Sequence, residues 1–272
     1  MRSITDKIIL KNQGLHSGKE CVLTIEPAVS DFIIMRSADS DQELNINEFK
    51  LNGTGRGSDY IFSDGTKIKT CEHVLSALTG LDVWRDVKIT VEGGEMPSLD
   101  GCADMLTQMI LNNSIERPEN SCALNLKTPL IVSNDDKTRF VAAFPNYDGL
   151  YINYSVEYEF IGAQIFDYVH SPENYIKNIA RARTFAYERD INYLRSHGMA
   201  MGGNLDNAVI LGSEIKAKDG LRWKHEFVRH KILDLIGDLA AIGKKLNAHI
   251  IALRAGHELH LKLSQIIKEL CK

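Results

Sequence analysis

One succession of signals occurs twice in this chain, and it constrains the fold more than any other feature. A helix opening with Glu72–His73 leads to a strand, then to a turn at Glu95–Gly101 and into another helix. Later, the helix carrying His230 leads to a strand, a turn at Gly256–His257 and a final helix. His73 stands 27 residues before Asp100, and His230 stands 27 before His257. The agreement points to a duplicated unit whose equivalent corners face one another at a shared cleft. Chance recurrence of a common helix–strand–helix succession is the alternative. Alternating or β-branched residues predict strands within Val22–Met35 and at Val87–Val91, and helix-like spacing covers Cys71–Leu78 and Asp104–Leu111. The stretch IERPENSC after Ser114 has a proline, polar residues and no periodicity. It places a domain boundary near residue 120, giving an N-terminal domain over 1–120 and a C-terminal one over 121–272. Strand signals return at Ala123–Val132, Phe140–Phe144 and Tyr151–Tyr158. A turn-rich connection at Gly162–Pro172, a polar helix or helices over Asn174–His197 and a helix over Trp223–Ile242 follow. A strand at Ala248–Leu253 and a helix near Leu261–Cys271 close the chain.

Composition excludes several classes. The chain has 272 residues, 44% apolar and 25% charged, the profile of a folded globular protein with room for a real core. Its formal charge of -4, with no block of basic residues, argues against nucleic acid as a partner. No stretch approaches the roughly 18 apolar residues of a membrane span, and the N-terminus lacks the apolar core of a signal peptide. Five scattered cysteines without a CxxC pair fit reduced thiols, so a cytoplasmic protein is expected. GLHSG at 14–18 and GGNLDN at 202–207 are neither a P-loop nor a dinucleotide fingerprint, and no GxSxG elbow occurs.

The densest chemistry lies in RWKHEFVRHKILDLIGDLAAIG, residues 222–243. Positions four apart share a helix face, so His230, Asp234 and Asp238 form a stepped line above an apolar face of Phe227, Leu235, Leu239 and Ile242. A His and an Asp one turn apart can grip one metal ion, by the logic that spaces the histidines of HExxH; a surface ion pair is the plainer alternative. In Thr70–Cys71–Glu72–His73, Thr70 fits a helix N-cap and the acid falls beside a possible ligand, where it could reach a metal-bound water. An ordinary acidic first turn is the other reading. His73, His230 and Asp234 together would make three ligands with an open position, the stoichiometry of catalytic zinc. His257 could hand a proton to a leaving amine, held charged by Asp238 or Asp100, or be a polar turn residue. His170, His197, His225 and His249 have no partner at ligand spacing and are assigned to surface or structural roles.

These segments resemble one family, the zinc-dependent UDP-3-O-acyl-N-acetylglucosamine deacetylases of lipid A biosynthesis. The similarity runs through GLHSG (14–18), TCEHVLSAL (70–78), MPSLDG (96–101), ARTF (182–185), GGNLDNAV (202–209), EFVRHKILDLIGDL (226–239) and AGH (255–257), in the family's order. The resemblance implies an α+β fold of two similar layered domains, sheet packed on helices, each with a small insert, and an active site at their interface. It places the second insert in or near Ile161–Tyr175, where it would help form a hydrophobic passage for an acyl chain. It implies hydrolysis of an N-acetyl group on a substrate with a nucleotide head and an acyl chain. Zinc would sit on His73, His230 and Asp234, although iron(II) also tolerates such a set. Glu72 would be the general base, His257 the general acid, Thr184 an oxyanion donor and Asp238 the group that charges and orients His257. Lys231 would meet the phosphates or the reacting centre, and His16, Asp100 and Phe185 would join it in binding substrate. A monomer is expected. Three positions depart from the family's usual pattern: His260 stands where Asn is common, Ala186 where Gly is frequent, and Gly55–Ser58 fits the first insert poorly. A divergent zinc amidase for another N-acylated nucleotide sugar and a binding protein that keeps only the fold are the competing readings.

Overall fold

The computed structural model describes residues 1–53, 56–118 and 123–270. The first part forms β1 (Arg2–Ile4), β2 (Ile8–Gln13), β3 (Glu20–Pro27), β4 (Ile33–Ser37), β5 (Glu43–Asn45), β6 (Lys50–Asn52), β7 (Asp59–Ile61) and β8 (Lys67–Ile68). Helix α1 (Glu72–Gly80), β9 (Val87–Glu92), α2 (Asp104–Asn112) and β10 (Ser114–Glu116) follow. The remainder forms β11 (Leu124–Asn125), β12 (Leu130–Ser133), β13 (Phe140–Pro145), β14 (Leu150–Tyr158), β15 (Gly162–Val169), α3 (Pro172–Asn178) and β16 (Phe185–Tyr187). It ends with α4 (Ile191–Ser196), β17 (Val209–Leu211), α5 (Glu226–Leu239), β18 (Leu246–Leu253) and α6 (His257–Leu270).

The fold is α+β, and the repeated succession reappears as a repeated sheet path. One sheet runs β2-β3-β9-β4-β5 and the other β12-β13-β18-β14-β15, with the short β11 also on β18. In both, the last strand takes the centre, antiparallel to the second strand and parallel to the third. Period-two alternation explains the central strand: Leu246, Ala248, Ile250 and Ala252 of β18 are buried while the residues between them are not. The boundary near residue 120 lies outside the described residues.

Helix α1 is buried along its whole length and packs on α5. The crossing is close at one point: a Cβ added to Gly237 would lie 1.9 Å from the carbonyl oxygen of Glu72. Backbone cannot yield as a side-chain tip can. Gly237→Ala is therefore expected to destabilise by about 1–3 kcal/mol or more and to shift Glu72; thermal unfolding and activity assays together check it.

Some expectations need correction. The supposed turn-rich connection at Gly162–Pro172 contains β15, the edge strand of the second sheet, whose Gln164 and Tyr168 point inward. Flanking Gly, Ser and Pro masked that alternation. The second insert consequently lies elsewhere than Ile161–Tyr175: it is the pair β16 and β17, parallel to one another, with α4 between them. The other insert is the three-stranded sheet β6-β7-β8. The polar helix over Asn174–His197 is two helices parted by an extended run; Ser171 caps the first by accepting from the Asn174 N–H, and Pro172 opens it. Thr70 is not an N-cap: Cys71 holds that position, while Thr70 has φ 56° and donates its hydroxyl to Glu95. His257, expected in a turn, is the first residue of α6.

Candidate active site

The helix spacing does what the sequence analysis requires of it. His230 and Asp234, one turn apart on α5, meet His73 from α1: Asp234 Oδ1 lies 3.3 Å from His230 Nε2 and 3.6 Å from His73 Nε2. His230 Nδ1 is 3.0 Å from the carbonyl of Ala182, which can only accept, so the hydrogen is on Nδ1 and the Nε2 lone pair is left facing the cluster. Burial pushes the His230 imidazole down to about 3, against the pull of Asp234, and so keeps it in the neutral form that ligates metals. Asp234 Oδ2 accepts from Lys231 Nζ at 2.7 Å, but its buried Oδ1 has no hydrogen-bond partner. Burial opposes the Asp234 charge, and positive neighbours including Lys231 outweigh it, holding the carboxyl well below its ordinary range. A buried, ionised oxygen set between two imidazole nitrogens, one of them with its lone pair turned inward, fits a cation; the candidate ligand atoms all lie within 4.8 Å of one another.

Two proton-handling groups flank this cluster. The buried Glu72 carboxylate accepts the Ser58 N–H at 2.8 Å, and Gly57 leaves it room. Burial raises its pKa, which makes it a better base than an exposed glutamate. His257 Nδ1–H donates to Asp238 Oδ2 at 2.9 Å, so Nε2 is turned to the cleft, 4.0 Å from Glu72 Oε1 and 3.8 Å from Asp234 Oδ2. Burial disfavours the charged ring, but the carboxylates of Asp238, Glu72 and Asp234 prevail and bring its pKa up to about 9. Asp238 also receives the Ser58 hydroxyl on Oδ1.

These groups form the floor of a cavity of about 550 Å³. Its walls include Leu15, His16, Tyr158, Thr184, Phe185, Ile191, Leu194, Leu205 and Ile210, and Arg56, Arg139 and Arg195 also line it. Phe185 sets its ring edge against His230, and the Lys231 ammonium lies 5.6 Å from the Phe185 ring centre. The Thr184 N–H donates to the Gly101 carbonyl, which fixes its backbone at the cavity wall. His16 is anchored through its N–H to Glu95 Oε1 at 2.7 Å.

Glu72, His73, Thr184, Phe185, His230, Lys231, Asp234, His257 and His16 thus share one cavity, and Asp238 lies directly behind His257. Asp100 does not join them: it pairs with Arg222 at 3.0 Å and accepts from the Cys102 thiol. Of the two acids considered for His257, Asp238 is the one that holds it. His170 and His249 are structural, bonded to Tyr168 and Asp82 and to Asn153 respectively. Sequence reasoning missed Ser58, and it missed Glu95, a buried carboxylate that takes the N–H groups of His16 and Ser17 and the Thr70 hydroxyl. It also missed Tyr154, hidden in an ordinary alternating strand. Only the position of Glu95 directly before the MPSLDG segment offered a signal.

A layered α+β fold whose two helices bring two imidazoles and a carboxylate into one cleft, with a buried glutamate and a histidine beside them, fits a metal-dependent hydrolase. Comparison with known proteins narrows the class. The sequence matches the LpxC family, UDP-3-O-acyl N-acetylglycosamine deacetylase, over residues 1–269. Proteins called UDP-3-O-acyl-N-acetylglucosamine deacetylase are similar to it over most of their length. That of Oleidesulfovibrio alaskensis is 36% identical over 263 residues, 94% of this chain and 85% of the relative. That of Histophilus somni is 35% identical over 279 residues, 98% of this chain and 90% of the relative. The chain belongs to the LpxC family of deacetylases.

Proposed function

We propose that this protein removes the N-acetyl group of UDP-3-O-(3-hydroxyacyl)-N-acetylglucosamine, giving the free amine and acetate, as a step in lipid A biosynthesis. The observation that carries the reading is the orphaned Asp234 Oδ1 between two imidazoles, with Glu72 and His257 on its flank. Zinc is the ion assigned to His73, His230 and Asp234, since two nitrogens and one carboxylate match a catalytic zinc set. When bound, the ion supplies Lewis acidity toward the amide carbonyl and acidifies water. Glu72, the buried base, takes the proton of the attacking water. His257, charged below about pH 9, gives a proton to the departing amine nitrogen. Thr184 offers a hydroxyl at the cavity wall for the negative charge that develops on the carbonyl oxygen. Lys231 neutralises Asp234 and adds positive charge near the reacting centre. The apolar walls from α4 and β17 suit an acyl chain, and the arginines suit phosphates. No helix among the described residues is long and apolar enough to cross a membrane. The reading is of a cytoplasmic monomer working on a single-chain lipid precursor.

The test is mass spectrometry of UDP-3-O-(3-hydroxytetradecanoyl)-N-acetylglucosamine incubated with the protein, with and without a zinc chelator. Loss of one acetyl group that the chelator abolishes and zinc restores is the expected result. No loss with zinc-loaded protein overturns the substrate and directs attention to other N-acylated nucleotide sugars.

The opposite protonation states required of the two groups predict a bell-shaped pH–rate profile. Activity falls as pH drops through the raised pKa of Glu72 and falls again as pH rises through that of His257, about 9. Asp238 is the foremost of the charges that favour the protonated ring. Asp238→Asn is expected to move the alkaline limb to lower pH by about one unit or more. An alkaline limb that stays in place would remove Asp238 from this role.

A further inference from the structure

The carboxylate behind His257 serves a second imidazole that the proposed mechanism does not use. His260, fully buried one turn further along α6, brings its Nδ1 to 2.8 Å from Asp238 Oδ2, the same oxygen that His257 Nδ1 meets at 2.9 Å. An ionised carboxylate only accepts, so both Nδ1 atoms carry hydrogens and both rings are oriented by one oxygen. On its far side His260 Nε2 lies 2.9 Å from the hydroxyl of Tyr154, a fully buried residue of β14. The same hydroxyl is 2.9 Å from the carbonyl oxygen of Ala255, two residues before His257, so its single hydrogen is shared between that oxygen and the His260 Nε2 lone pair. These contacts close a ring: Asp238 to His257, along the backbone to Ala255, through Tyr154 to His260, and back to Asp238. The ring draws on α5, α6, β14 and the turn between β18 and α6, so it fixes both the side chain and the backbone of His257.

We propose that His260, with Tyr154, is a positioning pair for the general acid, holding the Asp238 carboxylate and the Ala255–His257 turn so that His257 Nε2 faces the cleft. This rests on the assignment of His257 as general acid given above. Nothing in the pair touches the cavity, so its loss is expected in the rate of proton delivery and not in substrate or metal binding. Asn, the residue common at this position in the family, could donate to Asp238 through its amide but is too short to reach Tyr154 as well.

The experiment compares His260→Leu, His260→Asn and Tyr154→Phe in the zinc-loaded protein. His260→Leu loses two contacts, one of them to the charged Asp238, and Tyr154→Phe loses only contacts to uncharged groups, so kcat is expected to drop about 10–100-fold in the first and about 3–10-fold in the second. KM within two-fold of the parent and unchanged zinc content are expected with it, and His260→Asn should recover most of what the leucine variant loses. Parent-like kcat in both His260→Leu and Tyr154→Phe, or a loss confined to KM or zinc content, overturns the proposal. Tyr154→Phe removes one oxygen and keeps the packing, so it carries the test if the leucine variant does not fold. A second readout needs no turnover: in protein labelled with 15N-histidine, the His257 ring N–H should exchange with solvent about ten-fold faster or more in Tyr154→Phe. If the parent protein fails to deacetylate but this exchange responds, the functional reading falls and the ring stands. If turnover is present and exchange does not respond, the reverse holds.

Discussion

Glu72→Gln is expected to leave the zinc content of the protein unchanged and to cut kcat by about 10²–10⁴-fold, the range one positioned general base supplies. The amide keeps the shape and can still accept the Ser58 N–H that holds the carboxylate at 2.8 Å. It cannot take a proton. Because Glu72 faces the cluster without being one of its three converging ligands, metal analysis of the purified variant should match the parent. Retained turnover would strike out Glu72 as the base, and a loss of zinc equal to the loss of rate would make it a ligand instead.

Asp234→Ala is expected to produce the opposite pattern, with zinc falling to a small fraction of one per chain and activity falling with it. The carboxylate is the one acidic member of the proposed ligand set, and the two imidazoles alone offer an incomplete site. Folding should also suffer. Lys231 donates to Asp234 at 2.7 Å with only 17% of its side chain exposed, and removing one partner of such a pair costs about 3–5 kcal/mol. Metal analysis and thermal unfolding check the two halves of the prediction separately. A variant that keeps a full complement of zinc would relocate the ion.

Much of this site was legible in the sequence because helical geometry is local. One turn of spacing fixes His230, Asp234 and Asp238 on a single face, and the structure keeps them there. Bringing His73 to the same point is not local, since it depends on how α1 crosses α5; residue chemistry alone left an ion pair and an acidic first turn as rival readings, and only the family resemblance pointed to a metal site. The repeated helix–strand–helix order reappears as two sheets with one path, but the matched corners are not chemically equivalent: His257 faces the cleft while Asp100 turns to Arg222. Edge strand β15 was lost because period-two alternation is weak where one face is solvent and Gly, Ser and Pro crowd the ends. Ser58, Glu95, Tyr154 and the pairing role of His260 could not be read, because what a buried polar group bonds to is set by tertiary packing and leaves no periodic mark.

The proposed ligands stand far apart along the chain: His73 comes 157 residues before His230. An ion held by both acts as a cross-link that closes that long loop in the native state alone, and the entropy of closing it is a cost the helix packing has already met. Metal affinity and global stability are therefore one linked quantity. Free zinc at 100 times its dissociation constant should add about 2.7 kcal/mol of stability, seen as an unfolding midpoint that climbs with zinc concentration. The coupling runs the other way as well: anything that loosens α1 on α5, even a methyl group at Gly237, should raise the zinc dissociation constant without touching a ligand.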